Sequence, residues 1–163
     1  MHRFPVTKSG YESLKEKLKA LQQNERPKVV EALSEARGHG DLSENADYES
    51  AKEKLAYLDA RIAEIKNKLA NAEIIEIDKS KMDTGQVAFG AFVSLKDVNT
   101  NSVVSYLIVG EEEADVSNGS ISITSPLARE LIGCRKGDVV EIQTSRAVRE
   151  YEVLDISYDK LDK

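Results

Sequence analysis

From Tyr48 to Ala72 the apolar residues Tyr48, Ala51, Leu55, Leu58, Ile62, Ile65, Leu69 and Ala72 recur at alternating spacings of three and four, without a miss. That is a sustained heptad seam. A stripe this narrow cannot bury a helix by itself, so a second helix must lie along it for roughly 43 Å, the helical length of residues 44–72. A partner of matching length stands just upstream. Thr7 offers an N-cap, with Pro5 before it. Tyr11, Leu14, Leu18 and Leu21 follow at the same spacings, and the stripe resumes at Val30, Leu33 and Ala36. Between them Glu25-Arg26-Pro27 interrupts it, and Pro27, lacking a backbone donor, is expected to kink or locally shift the helix. Residues 8–37 would span roughly 45 Å. Gly38-His39-Gly40 joins the two segments with the backbone freedom that a sharp reversal needs. The expectation is an antiparallel coiled-coil hairpin over residues 1–76, rather than two chains paired through the seam.

After Ala72 the period changes from helical to alternating. Glu73–Asp78, Gln86–Lys96, Ser102–Val109, Ser120–Thr124, Val139–Thr144 and Arg149–Ser157 are rich in Val and Ile and bounded by Gly, Asn and Asp. They are expected to be strands of a small antiparallel sheet. One helix interrupts them: Ser125 as N-cap, Pro126 at the first helical position, Leu127 and Leu131 on one face, and Gly133 as terminator. The fold class is therefore α+β, a helical hairpin followed by a compact domain over residues 77–163.

Composition narrows the function. The chain has 163 residues, 40% hydrophobic and 32% charged, which fits a globular protein with much charged surface. No apolar run approaches the roughly 18 residues of a membrane span. The start, Met1-His2-Arg3-Phe4-Pro5, lacks a signal peptide's apolar stretch. A single cysteine, Cys134, excludes an internal disulfide and a cysteine-rich metal site. A cytoplasmic protein is the expectation. Net charge is −6, with 13 Lys/Arg against 14 Asp/Glu in residues 1–76 and 10 against 15 beyond. Neither half has the basic excess of a nonspecific nucleic-acid binder.

The unusual chemistry lies between the two helices. Asp41, Glu44 and Asp47 place three carboxylates where the first helix should end and the second begin. Asp41 and Glu44 are close to a capping box, and the helix dipole favours acids in a first turn. Asp47 exceeds what a cap needs. Two or three carboxylates suit a hard cation such as Mg²⁺, but a convex tip offers too few of the six oxygens that ion requires. A site shared with another macromolecule fits better. His39 beside the tip is a candidate base or ligand, with a solvated loop histidine as the plainer reading. Lys52 and Lys54 lie further along the second helix, where a solvated coiled-coil flank is the default and a phosphate contact by Lys52 the alternative. Cys134 has no His neighbour and reads as structural. Gly133-Cys134-Arg135-Lys136-Gly137-Asp138 reads as a tight turn, and Glu111-Glu112-Glu113 with Asp115 as an exposed acidic loop. No Walker, G-x-S-x-G or H-E-x-x-H motif occurs.

These residues carry a resemblance. Glu35-Ala36-Arg37 followed by the run from His39 through Tyr48, Arg26-Pro27, Ile108-Val109-Gly110 with Glu113-Ala114-Asp115, and Ile121 through Arg129 stand in the order found in the bacterial GreA-type transcript cleavage factors. The chain resembles that family over nearly its whole length. The resemblance implies an N-terminal antiparallel coiled coil and a C-terminal domain of FKBP-like fold. It implies that the second domain docks on RNA polymerase at the rim of its secondary channel while the coiled coil threads the channel. The factor then stimulates the polymerase's own cleavage of the nascent RNA 3′ end in backtracked complexes, and is not itself the enzyme. It implies that Asp41 and Glu44 help hold a Mg²⁺ ion completed by polymerase, that Lys52 lies near the RNA, and that Ser125 and Pro126 belong to the docking segment. A monomer is expected when the factor is free.

The chain departs from the family pattern at Gly38, Ser43 and Thr124, where relatives carry a bulkier residue, a basic residue, and Asn or Asp. The hairpin's sparse basic surface favours the GreA type over the more basic GreB type. Three other functions compete. An anti-cleavage inhibitor in the same channel would alter the acidic pair, which is intact here. A peptidyl-prolyl isomerase would need an aromatic-lined pocket, for which Phe89, Phe92, Tyr106, Tyr151 and Tyr158 are few. A plain coiled-coil interaction module would leave the acidic cluster as capping only.

Overall fold

The computed structural model describes residues 3–38 and 42–160, with the side chains of residues 42–45 excepted. Two compact units are distinguished: residues 11–72, and residues 4–10 together with 73 onward.

The first unit is helical. Helix α1 (Lys8–Ala20) continues through a π-helical segment (Leu21–Glu25) into α2 (Arg26–Gly38), and α3 (Leu42–Ala70) packs against α2. The heptad seam of α3 is the side that packs: Ala51, Ile62 and Ile65 are buried, Tyr48, Leu55, Leu58 and Leu69 half-buried, while the residues between are mostly exposed. On α1, Leu14 is buried and Tyr11 and Leu18 half-buried, as the spacing predicts.

Beyond the proline the inward face differs from the predicted stripe. Val29, not Val30, is half-buried, together with Arg26, Leu33 and Ala36; Val30 is exposed. The π-segment is the cause. Its Arg26 N–H bonds to the Leu21 carbonyl, an i→i+5 step that inserts one extra residue into the turn. An unbroken α-helix leaving Leu21 would return to the same face at about residues 25, 28, 32 and 35, given 3.6 residues per turn. One inserted residue moves those positions to Arg26, Val29, Leu33 and Ala36. The shift expected at Pro27 is thus a phase correction that keeps Leu33 and Ala36 in the seam. Arg26, brought inward by it, bonds from Nε to Oδ1 of Asp59 on α3 at 2.8 Å. The Arg26 guanidinium, chiefly through that hydrogen bond, holds the Asp59 carboxyl below its usual range.

The second unit is a five-stranded sheet in the order β5-β4-β3-β7-β6, formed by Phe92–Asp97 (β3), Val103–Val109 (β4), Ser120–Ser122 (β5), Val139–Gln143 (β6) and Val148–Ser157 (β7). A separate two-stranded sheet pairs β1 (Phe4–Val6) with β2 (Ala72–Ile74). The expected stretch Glu73–Asp78 is therefore mostly coil after β2, and Gln86–Lys96 becomes a strand only from Phe92, with Gln86 making an isolated bridge to Arg135. The sheet is not wholly antiparallel as predicted: β5 runs parallel to β4. Residues 110–119 carry the chain back past the end of β4, and a 3₁₀ turn (Val116–Asn118), capped by Asp115 and closed by Gly119 at φ 84°, leads into β5, which starts level with Leu107 and runs in the same sense as β4.

On β3 the alternation is strict, with Val93, Leu95 and Asp97 buried. Helix α4 (Pro126–Leu131) presents Ala128 and Leu131 to this core, where they meet Val87, Ile108, Val140 and Val153. Asp97 is the polar member of the inward row. Its Oδ1 accepts from Asn99 N at 2.9 Å and Thr100 N at 3.3 Å, which closes the β3–β4 hairpin.

Candidate functional site

Helix α2 runs through Gly38 and α3 opens at Leu42, so the departure at Gly38 does not end α2 early. Asp41 and His39, predicted as tip carboxylate and candidate base, lie outside the described residues, as do the side chains of Ser43 and Glu44. Glu44 is the third residue of α3, in the turn where the helix dipole stabilises negative charge. Asp47, the third carboxylate, is exposed.

Just beyond it the two helices are tied together. The Arg37 guanidinium lies 5.7 Å from the centroid of the Tyr48 ring, and its Nη2 donates to the Tyr48 hydroxyl at 3.4 Å. A cation over an aromatic face is worth roughly 0.5–1 kcal/mol at an exposed site. Lys52 and Lys54 are exposed on α3. Each stands next to a seam residue's turn but off the packed face, so both ammonium groups face solvent. Among the described residues no three His, Cys, Asp or Glu side chains are grouped to hold a metal.

The second predicted site is the start of α4. Ser125 Oγ accepts from Ala128 N at 3.2 Å as the N-cap, with Pro126 next and exposed. Thr124 is exposed, and its hydroxyl pairs with Ser122 Oγ at 2.7 Å. A groove between α4 and β6 begins at Pro126 and is lined by Arg129, Glu130, Glu141, Ile142 and Gln143. It holds no aromatic side chain. Phe89 and Tyr158 are buried, and the Tyr158 hydroxyl donates to the Gln86 carbonyl. Phe89 and Tyr158 thus serve the core.

Cys134 behaves as expected of a structural thiol. Its Sγ donates to the Glu130 carbonyl at 3.4 Å, and burial, then the charges of Asp138 and Glu130, push the thiol pKa up. The turn after it also matches, with Asp138 Oδ2 accepting from Arg135 N at 2.9 Å.

The acidic loop differs from its solvated reading. Asp115 accepts from Ser117 and Asn118, and its carboxyl is held low chiefly by the Ser117 hydroxyl. Glu113 is half-buried and turned onto the start of α1, a role that sequence reasoning missed. The only trace of it is Gly110, three residues ahead of Glu113, and Gly10 in a helical first turn.

Residues 4–74 match the family described as "Transcription elongation factor, N-terminal", and residues 82–158 match "Transcription elongation factor, GreA/GreB, C-term". The chain is 48% identical over 158 residues to a transcription elongation factor GreA of Hyphomonas neptunium, covering 97% of this chain and 99% of that one. It is 50% identical, with the same coverage, to one from Beijerinckia indica subsp. indica. Among solved structures, the GreA factor homolog 1 protein of Thermus thermophilus is 28% identical over 96% of this chain and 99% of its own, with a TM-score of 0.44.

Proposed function

The chain belongs to the GreA/GreB family of transcription elongation factors, and from that premise we propose that it binds RNA polymerase and stimulates cleavage of the nascent RNA 3′ end in backtracked complexes. The observation that carries this reading is the acidic run from Asp41 to Asp47, which in the sequence begins just after α2 and continues into the first turns of α3. An arm stiffened by a continuous seam suits reaching through the secondary channel to the polymerase active site. Unit two, which we read as FKBP-like, would dock at the channel rim through the Ser125-Pro126 segment. The exposed Pro126 and the groove beside it support that assignment.

Asp41 and Glu44 would hold a Mg²⁺ ion jointly with polymerase, since two carboxylates leave most of the ion's six oxygen positions to another donor. When bound, that ion supplies Lewis-acid stabilisation and an activated water for phosphodiester hydrolysis. This chain's contribution would be to supply two carboxylates close in sequence to the start of α3, where the helix dipole favours negative charge. Lys52, exposed on α3, would offer its ammonium to a phosphate of the extruded RNA. The polymerase remains the enzyme, and the factor acts as a cytoplasmic monomer.

The test is a polymerase stalled in a backtracked complex, to which the factor and Mg²⁺ are added. Release of short 3′ RNA fragments is the expected result. Slowed transcription without fragments would mean that the arm inhibits from the channel. No effect on either would leave the hairpin as an interaction module.

A further inference from the structure

A carboxylate from the loop after β4 locks the first turn of α1. Glu113 Oε2 accepts from Thr7 N at 3.1 Å and Gly110 N at 2.9 Å, and Oε1 accepts from the Thr7 hydroxyl. Thr7 Oγ1 in turn accepts from Gly10 N at 3.0 Å, the ordinary N-cap bond of α1. Thr7 is only 6% exposed. The packing leaves no room for a larger neighbour: a Cβ on Gly10 would lie 2.2 Å from Cδ of Glu113, and one on Gly110 would lie 2.6 Å from the Pro5 carbonyl oxygen. Glycine is unfavourable inside a helix, and at Gly10 the carboxylate explains its presence. A cap needs only the Thr7 hydroxyl; the Glu113 carboxylate adds bonds that tie this turn to a residue 106 positions away.

All of these residues belong to unit two, while α1 itself runs unbroken from Lys8 to Ala20. The helix that supplies the arm's first turns therefore starts from a pinned root. Resting on the cleavage-stimulating reading above, we infer that Glu113 is a positioning residue for that activity: it pins the first turn of α1, and cleavage depends on that pin. Groups misplaced by about 1 Å through a change far from the chemistry can cost about 100-fold in rate.

The experiment compares Glu113→Ala, Gly10→Ala and the double variant with the wild type, in cleavage of backtracked complexes across factor concentrations. Glu113→Ala should lower the saturating cleavage rate at least about tenfold while changing the half-saturating concentration less than about threefold, the pattern of lost positioning rather than lost binding. Gly10→Ala should reproduce the defect without removing any charge, because its Cβ displaces the carboxylate. In the Glu113→Ala background the same Gly10→Ala change should add no further loss, since the atoms it would meet are gone. A rise in the half-saturating concentration alone, wild-type cleavage by Glu113→Ala, or additive losses in the double variant would overturn the inference while leaving the cleavage reading intact. A wild type that stimulates no cleavage would overturn both.

Discussion

The π-segment makes a quantitative prediction about helix register. Between Leu21 and Leu33 the seam is one residue out of phase for an unbroken α-helix, and the i→i+5 bond from Arg26 N to Leu21 O absorbs that residue. Without it, Val29 and Leu33 would rotate by about 100° off the face that meets α3. Full burial of Val or Leu is worth roughly 1.5–3 kcal/mol. Both are half-buried here, so losing the pair would cost about 1.5–3 kcal/mol. That exceeds what one irregular turn costs, and register rather than the proline should dictate the π-segment. Pro27→Ala alone should therefore retain it. Deleting Gln23 in the Pro27→Ala background makes the seam continuous for a regular helix, and stability should stay within about 0.5 kcal/mol of the single variant. Inserting an alanine after Gln23 in that background doubles the slip and should cost the full amount, about 1.5–3 kcal/mol, or about 3–12 °C in melting temperature for a chain of this size. Urea unfolding followed by far-ultraviolet circular dichroism measures all three. If deletion costs as much as insertion, the phase argument is wrong.

Two further outcomes follow from the structure. Ile65 is fully buried in the seam, and Ile65→Ala should destabilise the helical unit by about 2–5 kcal/mol in the same assay. Asp83 has its carboxyl held below the usual range, chiefly by its bond with Arg135 and then by Gly85 N–H. A depressed folded pKa contributes stability that is present above the ordinary carboxylate range and is lost as pH falls through the folded value. Carboxyl-carbon NMR should find Asp83 titrating low in the wild type and moving up in Arg135→Ala.

How far the sequence could be read depended on whether each signal was local. The α3 seam needed only its own spacing, and it packs as predicted from Tyr48 to Leu69, but Ala72, expected to close it, lies in β2 because the helix ends at Ala70. The α4 helix was legible because Ser125 and Pro126 mark its start and Gly133 its end within nine positions. Pro27 announced a disturbance, but its form depended on the phase of residues on both sides, so Val30 was expected inward where Val29 is. The parallel β4–β5 pairing is set by the turn at Val116–Asn118, which carries no strand-direction signal of its own. Strand β1 is three residues long, too short for a period to appear. Glu113 looked like one of a run of solvated acids because its partners, Thr7 and Gly10, are remote in sequence. For the acidic tip, residue types and order alone supplied the chemistry.

The central claim is that Asp41 and Glu44 act in cleavage rather than as caps. Its most direct measurement is the saturating cleavage rate of an Asp41→Ala/Glu44→Ala variant, alongside its affinity for polymerase and its unfolding curve. Losing an N-cap costs about 0.5–2 kcal/mol, which the long seam should absorb. The account predicts a folded factor that binds polymerase with near wild-type affinity and releases no RNA fragments. Undiminished cleavage by that variant would contradict it.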